Sequence, residues 1–196
     1  MTRRKAEIKR RTKETAISLM LNLDGAGASE ISTGVSFLDH MLELLSKHSG
    51  MDLKIRATGD IKVDYHHTVE DVGICLGQAL VEALGDKKGI ARFGEMNVPM
   101  EDALAEVSLD LGGRPYLAYN VKFPTEKIGT FDVELGKEFL NAFAANGKLN
   151  LHINVPYGDN SHHILEAIFK ALAKALEKAA AIEKPAGDVP STKGTI

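Results

Sequence analysis

A His-His-x-x-Glu pentad occurs twice in this chain, as His66-His67-Thr68-Val69-Glu70 and as His162-His163-Ile164-Leu165-Glu166, 96 residues apart. The likeness spreads beyond the pentads. Across the 19 positions from His66 to Leu84 the same offset gives seven identities: His66, His67, Glu70, Leu76, Ala79, Leu80 and Ala83. Upstream the match continues at an offset of 98, which sets Leu53-Lys54-Ile55 over Leu151-His152-Ile153 and His40 over Glu138. The two-residue difference falls in the loop before each histidine pair. Self-similarity at a long fixed period marks a duplicated supersecondary unit. The chain is therefore expected to consist of two half-repeats, 1–87 and 88–196 with a C-terminal tail, packed into one domain.

Hydrophobic periodicity supports the duplication. Glu14 to Leu23 alternates and is rich in strand-compatible residues. Phe37 to Lys47 carries apolar residues at helical spacing, with Asp39 near the start, where negative charge suits the helix dipole. Met51 to Asp60 reads as a strand closed by Gly59-Asp60, and Thr68 to Leu84 as a helix stopped by Gly85. The second half gives strands near Ala91 to Val98, Ala103 to Leu109, Tyr116 to Phe123 and Lys148 to Val155, and helices over Asp132 to Ala145 and Ser161 to Ala181. Each half thus holds two or three strands, a helix, a strand and a helix. Sheet faces and helix faces must bury one another, so a layered α/β architecture is predicted. The tail after Glu183 contains Pro185, Gly187, Pro190 and Gly194 and is not expected to be regular throughout.

Composition narrows the class. A single cysteine, Cys75, excludes an intramolecular disulfide, and a reducing cytoplasm is the default compartment. No apolar run is long enough to span a bilayer, and the start of the chain lacks a signal-type apolar stretch, so no membrane association is expected. Seven of the first 13 residues are basic: Arg3, Arg4, Lys5, Lys9, Arg10, Arg11 and Lys13. No aromatic residues are interleaved as a nucleic-acid stacking platform requires, and the net charge is −3. The basic run therefore reads as a solvated edge strand, and no nucleic-acid partner is expected.

The pentads point to metal. In a helix, His66 and Glu70 are four residues apart and share a face, as do His162 and Glu166. Adjacent residues point about 100° apart, so the two histidines of a pair are poorly placed to chelate one ion together. A crossed arrangement is expected: His66, Glu70 and His163 around one ion, His162, Glu166 and His67 around the other. Glu138 is assigned to the first set and His40 to the second. Such nitrogen-and-oxygen sets suit Mn²⁺, with Fe²⁺ or Zn²⁺ as substitutes, and are too rich in nitrogen for Ca²⁺ or Mg²⁺. The lone histidines His48 and His152 read as structural or exposed.

Several stretches closely resemble the imidazoleglycerol-phosphate dehydratase family of histidine biosynthesis. They are the segment from Gly34 through Phe37, Asp39 and His40 to Leu42; His66 to Gly73; Asp110 through Gly112, Gly113 and Arg114 to Tyr116; Asn160 to Lys170; and Pro190 to Gly194. The resemblance runs from the first strand to the tail. It implies an α/β (α+β) fold, an internally duplicated unit whose two sheets sandwich the helices, with halves of the ribosomal S5 domain 2-like kind. It implies two Mn²⁺ per subunit, with ligands shared between subunits of a homo-oligomeric octahedral shell built from trimers, hence 24 subunits. Carried over, the ligands fall on His40, His66, His67, Glu70, His162, His163 and Glu166. The family often has His where this chain has Glu138; a carboxylate is a good Mn²⁺ ligand, so the site is expected to persist with one more negative charge.

The activity implied by the resemblance is dehydration of D-erythro-imidazole glycerol phosphate to imidazole acetol phosphate. The proton to be lost is not next to a carbonyl, so the imidazole ring must act as the electron sink, which two Lewis-acidic cations would favour. The resemblance places Glu14 as the proton-transfer group, with His40, His67 and Glu166 beside it in the catalytic set. It places Arg92, Arg114, Lys170, Ser191, Thr192 and Lys193 on the substrate phosphate, matching the preference of phosphate for guanidinium forks and ammonium groups. The Pro190–Gly194 tail would close over the ligand. Two other classes compete: a metal-assembled storage shell, which needs no phosphate set, and a two-metal hydrolase, which needs a water-activating site.

Overall fold

The structure, a computed structural model, describes residues 4–183, 187–194 and 196; Arg3 of the basic run and Pro185 of the tail lie outside them. The first half runs β1 (Lys5–Arg11), β2 (Thr15–Asn22), β3 (Ser29–Ser32), α1 (Ser36–Ser49), β4 (Asp52–Gly59) and α2 (His66–Leu84). The second runs β5 (Phe93–Met100), β6 (Ala103–Asp110), β7 (Tyr116–Asn120), a short hairpin β8 (Lys127–Ile128) and β9 (Phe131–Asp132), α3 (Glu134–Gly147), β10 (Asn150–Tyr157) and α4 (Ser161–Ala180). Apart from that hairpin, the halves repeat each other element for element. The equivalent helices α1 and α3 are each 14 residues long, and β4 and β10 are each 8. Six residues separate β4 from His66 and four separate β10 from His162, which locates the change of offset.

Each half forms a four-stranded sheet, in the orders β1-β2-β4-β3 and β5-β6-β10-β7. Three of the four strands in each are linked by antiparallel pairing; β3 and β7 join parallel to β4 and β10. The basic run is the edge strand β1, whose cations discourage pairing with other chains. Strands β2 and β6 alternate, burying Thr15, Ile17, Leu19 and Leu21 in one and Ala103, Ala105, Val107 and Leu109 in the other. The helices lie between the sheets. α2 covers β1 and β2, and α4 covers β5 and β6; α1 then packs on α4, and α3 on α2. Helices from opposite halves therefore share one core, which includes Leu42, Phe139, Leu140, Phe143 and Phe169.

Two glycines set the spacing of α2 and α3. A Cβ at Gly77 would lie 2.6 Å from the Gly147 nitrogen, and one at Gly73 would lie 2.7 Å from the Phe139 carbonyl. Only glycine permits this helix-to-helix approach. Among the described residues no helix is long and apolar enough to cross a membrane.

Several boundaries differ from the sequence expectation. Arg92 and Lys148 have positive φ (74° and 50°), so β5 and β10 start after them, at Phe93 and Asn150. Glu14 precedes β2, in a turn where Thr12 Oγ1 accepts hydrogen bonds from the Glu14 and Thr15 amides at 3.1 and 2.9 Å. Helix α2 begins at His66 rather than Thr68, because the Asp64 carboxylate accepts the His66 amide at 2.8 Å. The short β3 carries too little pattern to be read separately.

Candidate metal centre and anion cleft

Both histidine pairs sit in the first turn of a helix. Asn160 caps α4 by accepting from the His162 amide at 2.9 Å and the His163 amide at 3.4 Å. That turn projects His162 and Glu166 to one side. His162 Nε2 lies 3.1 Å from Glu166 Oε2. Because α1 packs on α4, His40 joins them, with Nε2 at 3.5 Å from the same oxygen. Ligand atoms of His40, His162 and Glu166 all fall within 4.8 Å of one another, the one such group of three or more among the described residues. Two imidazoles and a carboxylate form a donor set that fits Mn²⁺, Fe²⁺ or Zn²⁺.

Glu166 is only 8% exposed. Burial opposes its charge, but Lys170 Nζ at 2.6 Å, with His162 and His40, outweighs that and holds the carboxyl below the usual range. Lys170 therefore faces the metal ligands within its own chain. The resemblance placed it on phosphate.

The other pentad makes a looser pair: His66 Nε2 and Glu70 lie 3.8 Å apart. Glu138, on α3 against α2, holds the position equivalent to His40 on α1 but enters no three-ligand group among the described residues. His67 and His163 point elsewhere. His67 Nδ1 meets Asp60 at 3.0 Å, and its Nε2 is 4.0 Å from Glu14. The Asp60 carboxylate raises the His67 pKa above its ordinary value. His163 Nδ1 meets Asp102 at 2.5 Å, and this contact, with the Asp159 and Asn160 amides, holds the Asp102 carboxyl down at about 2. A single chain thus assembles three of the expected ligands and leaves His67 and His163 outside that cluster.

Five of the six predicted phosphate residues come together, Lys170 being the exception. Arg92, Arg114, Ser191, Thr192 and Lys193 line one cleft of about 630 Å³, with Gly112, Pro190 and Ile196. The Arg92 fork is held by Asp110 at 2.7 and 3.1 Å, and its remaining arm donates to the Pro190 carbonyl at 2.8 Å. Arg92 therefore ties the tail across the cleft. Arg114 and Lys193 are exposed, and neither makes an ion pair among the described residues. Their donors are available to an anion.

Residues 33–176 match the family model described as imidazoleglycerol-phosphate dehydratase. The chain belongs to the imidazoleglycerol-phosphate dehydratase family. It is a hydro-lyase of histidine biosynthesis. It is 59% identical over 193 residues to the imidazoleglycerol-phosphate dehydratase of Desulforudis audaxviator, covering 98% of each chain. Identity to the Bacillus licheniformis enzyme is 55%, over 98% of this chain and 100% of that one. Among solved structures, the Staphylococcus aureus dehydratase superposes with a TM-score of 0.82 at 44% identity, over 89% of this chain and 97% of that one. The Pyrococcus furiosus enzyme, solved in complex with (S)-C348, gives a TM-score of 0.84 at 40% identity, over 96% of this chain and all of that one.

Around the dehydratase site, pattern reading passed over Asp60, Asp102 and Asp110, each isolated in sequence from the group it holds. It also passed over Asp71, which accepts from Arg10 at 3.0 Å and Thr15 at 2.5 Å, joining α2 to the turn that carries Glu14. Asp71 carried a faint signal, as a charge on the otherwise apolar face of a helix.

Proposed function

We propose that this dehydratase converts D-erythro-imidazole glycerol phosphate to imidazole acetol phosphate and water, with two manganese ions per chain. His40, His162 and Glu166 would hold one ion together with His67; His66, Glu70 and Glu138 would hold the other with His163. In each set the outward histidine would come from a neighbouring subunit of a cytoplasmic homo-oligomeric shell of trimers. When bound, the ions supply Lewis acidity that stabilises the deprotonated imidazole of the substrate.

The remaining work falls to the protein. Arg114 and Lys193, exposed and without an ion pair among the described residues, would donate to the phosphate, while Arg92, clamped by Asp110, anchors the tail through Pro190. Ser191 and Thr192 add hydroxyl donors on the same wall. Glu14 stands on a turn 4.0 Å from His67 Nε2, half-exposed and next to a proposed metal ligand. It would move the proton of the glycerol chain as general base and acid.

The observation that carries this reading is the anion cleft. A storage shell needs histidine and carboxylate clusters but no cleft lined by two arginines, a lysine and two hydroxyls. Incubating the manganese-loaded protein with imidazole glycerol phosphate and following the keto product by its absorbance tests it. Steady product formation without release of inorganic phosphate is expected. Full metal loading with no product would favour storage, and phosphate release would favour a hydrolase.

A further inference from the structure

We propose that Asp60 and Asp102 are positioning residues that fix the two outward imidazoles, His67 and His163, with Nδ1 protonated and Nε2 presented to metal. This inference rests on the metal reading above. A carboxylate only accepts, so an imidazole nitrogen in contact with it must donate, and the lone pair is left on the other nitrogen. Asp60 contacts His67 Nδ1 at 3.2 and 3.0 Å, and Asp102 contacts His163 Nδ1 at 2.5 Å.

The two aspartates do not occupy equivalent places in the duplication. Asp60 follows β4, whereas Asp102 lies in the β5–β6 turn. Asp102 immediately precedes β6 as Glu14 immediately precedes β2, so its counterpart in the first half is Glu14. Duplication copies a contact to the same place in both halves. Here the same contact is made from two different places, so each imidazole has gained its own orienting carboxylate.

The asymmetry has a chemical consequence. In the second half the turn carboxylate is engaged on Nδ1, with its other oxygen accepting the Asp159 and Asn160 amides at 2.6 and 2.9 Å. In the first half Asp60 takes over that contact, and the turn carboxylate Glu14 is left on the Nε2 side of His67. One half therefore has a spare acid beside a ligand imidazole, and the other does not. The duplicated frame can then place a single proton-transfer group against a pair of similar ion sites.

Titration of the metal-free chain with Mn²⁺, followed by electron paramagnetic resonance of free ion, tests the assignment. The unaltered chain should take up two ions. Asp102→Ala should weaken one of the two by about 10–100-fold and leave the other unchanged, the usual effect of losing the partner of a metal-bound histidine. Asp60→Ala should do the same to the other ion. Asp60→Asn should recover most of the loss: both Asp60 oxygens face only His67 Nδ1 among the described residues, so one amide oxygen still accepts that N–H. Unchanged affinity in Asp102→Ala would overturn the proposal, as would equal weakening of both ions, which marks a general structural role. An asparagine variant as weak as the alanine one would also overturn it. A parent chain that binds no manganese would sink the metal reading and this inference with it, an outcome distinct from all the others.

Discussion

Glu166→Gln isolates the carboxylate on which His40, His162 and Lys170 converge. The substitution preserves size at a site that is 8% exposed, so no cavity is created. In the metal-free protein the main loss is the charged partner of Lys170 at 2.6 Å. A charge-assisted hydrogen bond contributes about 1.5–3 kcal/mol and a neutral one about 1. The amide oxygen still accepts, so the cost is about 0.5–2 kcal/mol. At roughly 2–4 °C per kcal/mol for a chain of this size, the unfolding midpoint should fall by about 1–8 °C. The effect on manganese is larger. Losing an outer partner of a ligand costs about 10–100-fold in affinity, and losing an anionic ligand should cost at least the upper figure. A hundredfold loss is about 2.8 kcal/mol. Isothermal titration of the metal-free variant with MnCl₂, beside a calorimetric scan, measures both. A folded Glu166→Gln protein that binds two ions with unchanged affinity would refute the triad as a metal site. An unchanged midpoint without metal would refute the contribution assigned to Lys170.

Glu14→Gln should retain manganese and particle size but lose about 10²–10⁴-fold in kcat; turnover near the parent value would remove Glu14 from the proton transfer. Arg114→Ala should raise KM with little change in kcat, since the phosphate takes no part in the bond changes and its binding acts equally on ground and transition states. A kcat loss without a KM change would contradict that role. Chelation should shrink the particle if ligand sets cross subunits, and light scattering showing an unchanged size would argue against shared ions. Cys75 is fully buried, and burial pushes its thiol up to about 11, so about one thiol in a thousand is ionised at pH 8. Iodoacetamide should modify it only after unfolding; rapid modification of the native protein would show that α2 opens locally.

The duplication was legible because it is written in identities and spacings. His66 and Glu70, like His162 and Glu166, share a face by helical geometry alone, and alignment of the halves made His40 and Glu138 counterparts. The alternation of β2 and β6 and the helix stop at Gly85 are equally local. Boundaries were missed where the backbone departs from the pattern, as at Arg92 and Lys148, whose positive φ no side-chain periodicity announces.

Hydrophobic period, capping residues and repeat offset act between neighbours along the chain, so the sequence by itself determined the elements, their order and the paired histidines. Which helix meets which was decided only by tertiary packing. The close approach at Gly73 and Gly77 seats α3 on α2, and the matching placement of α1 on α4 carries His40 to Glu166 from a distant part of the chain. The same holds for Asp60 and Asp102, which hold their imidazoles from turns. Such contacts depend on how whole sheets and helices bury their faces against one another, a balance summed over the entire core.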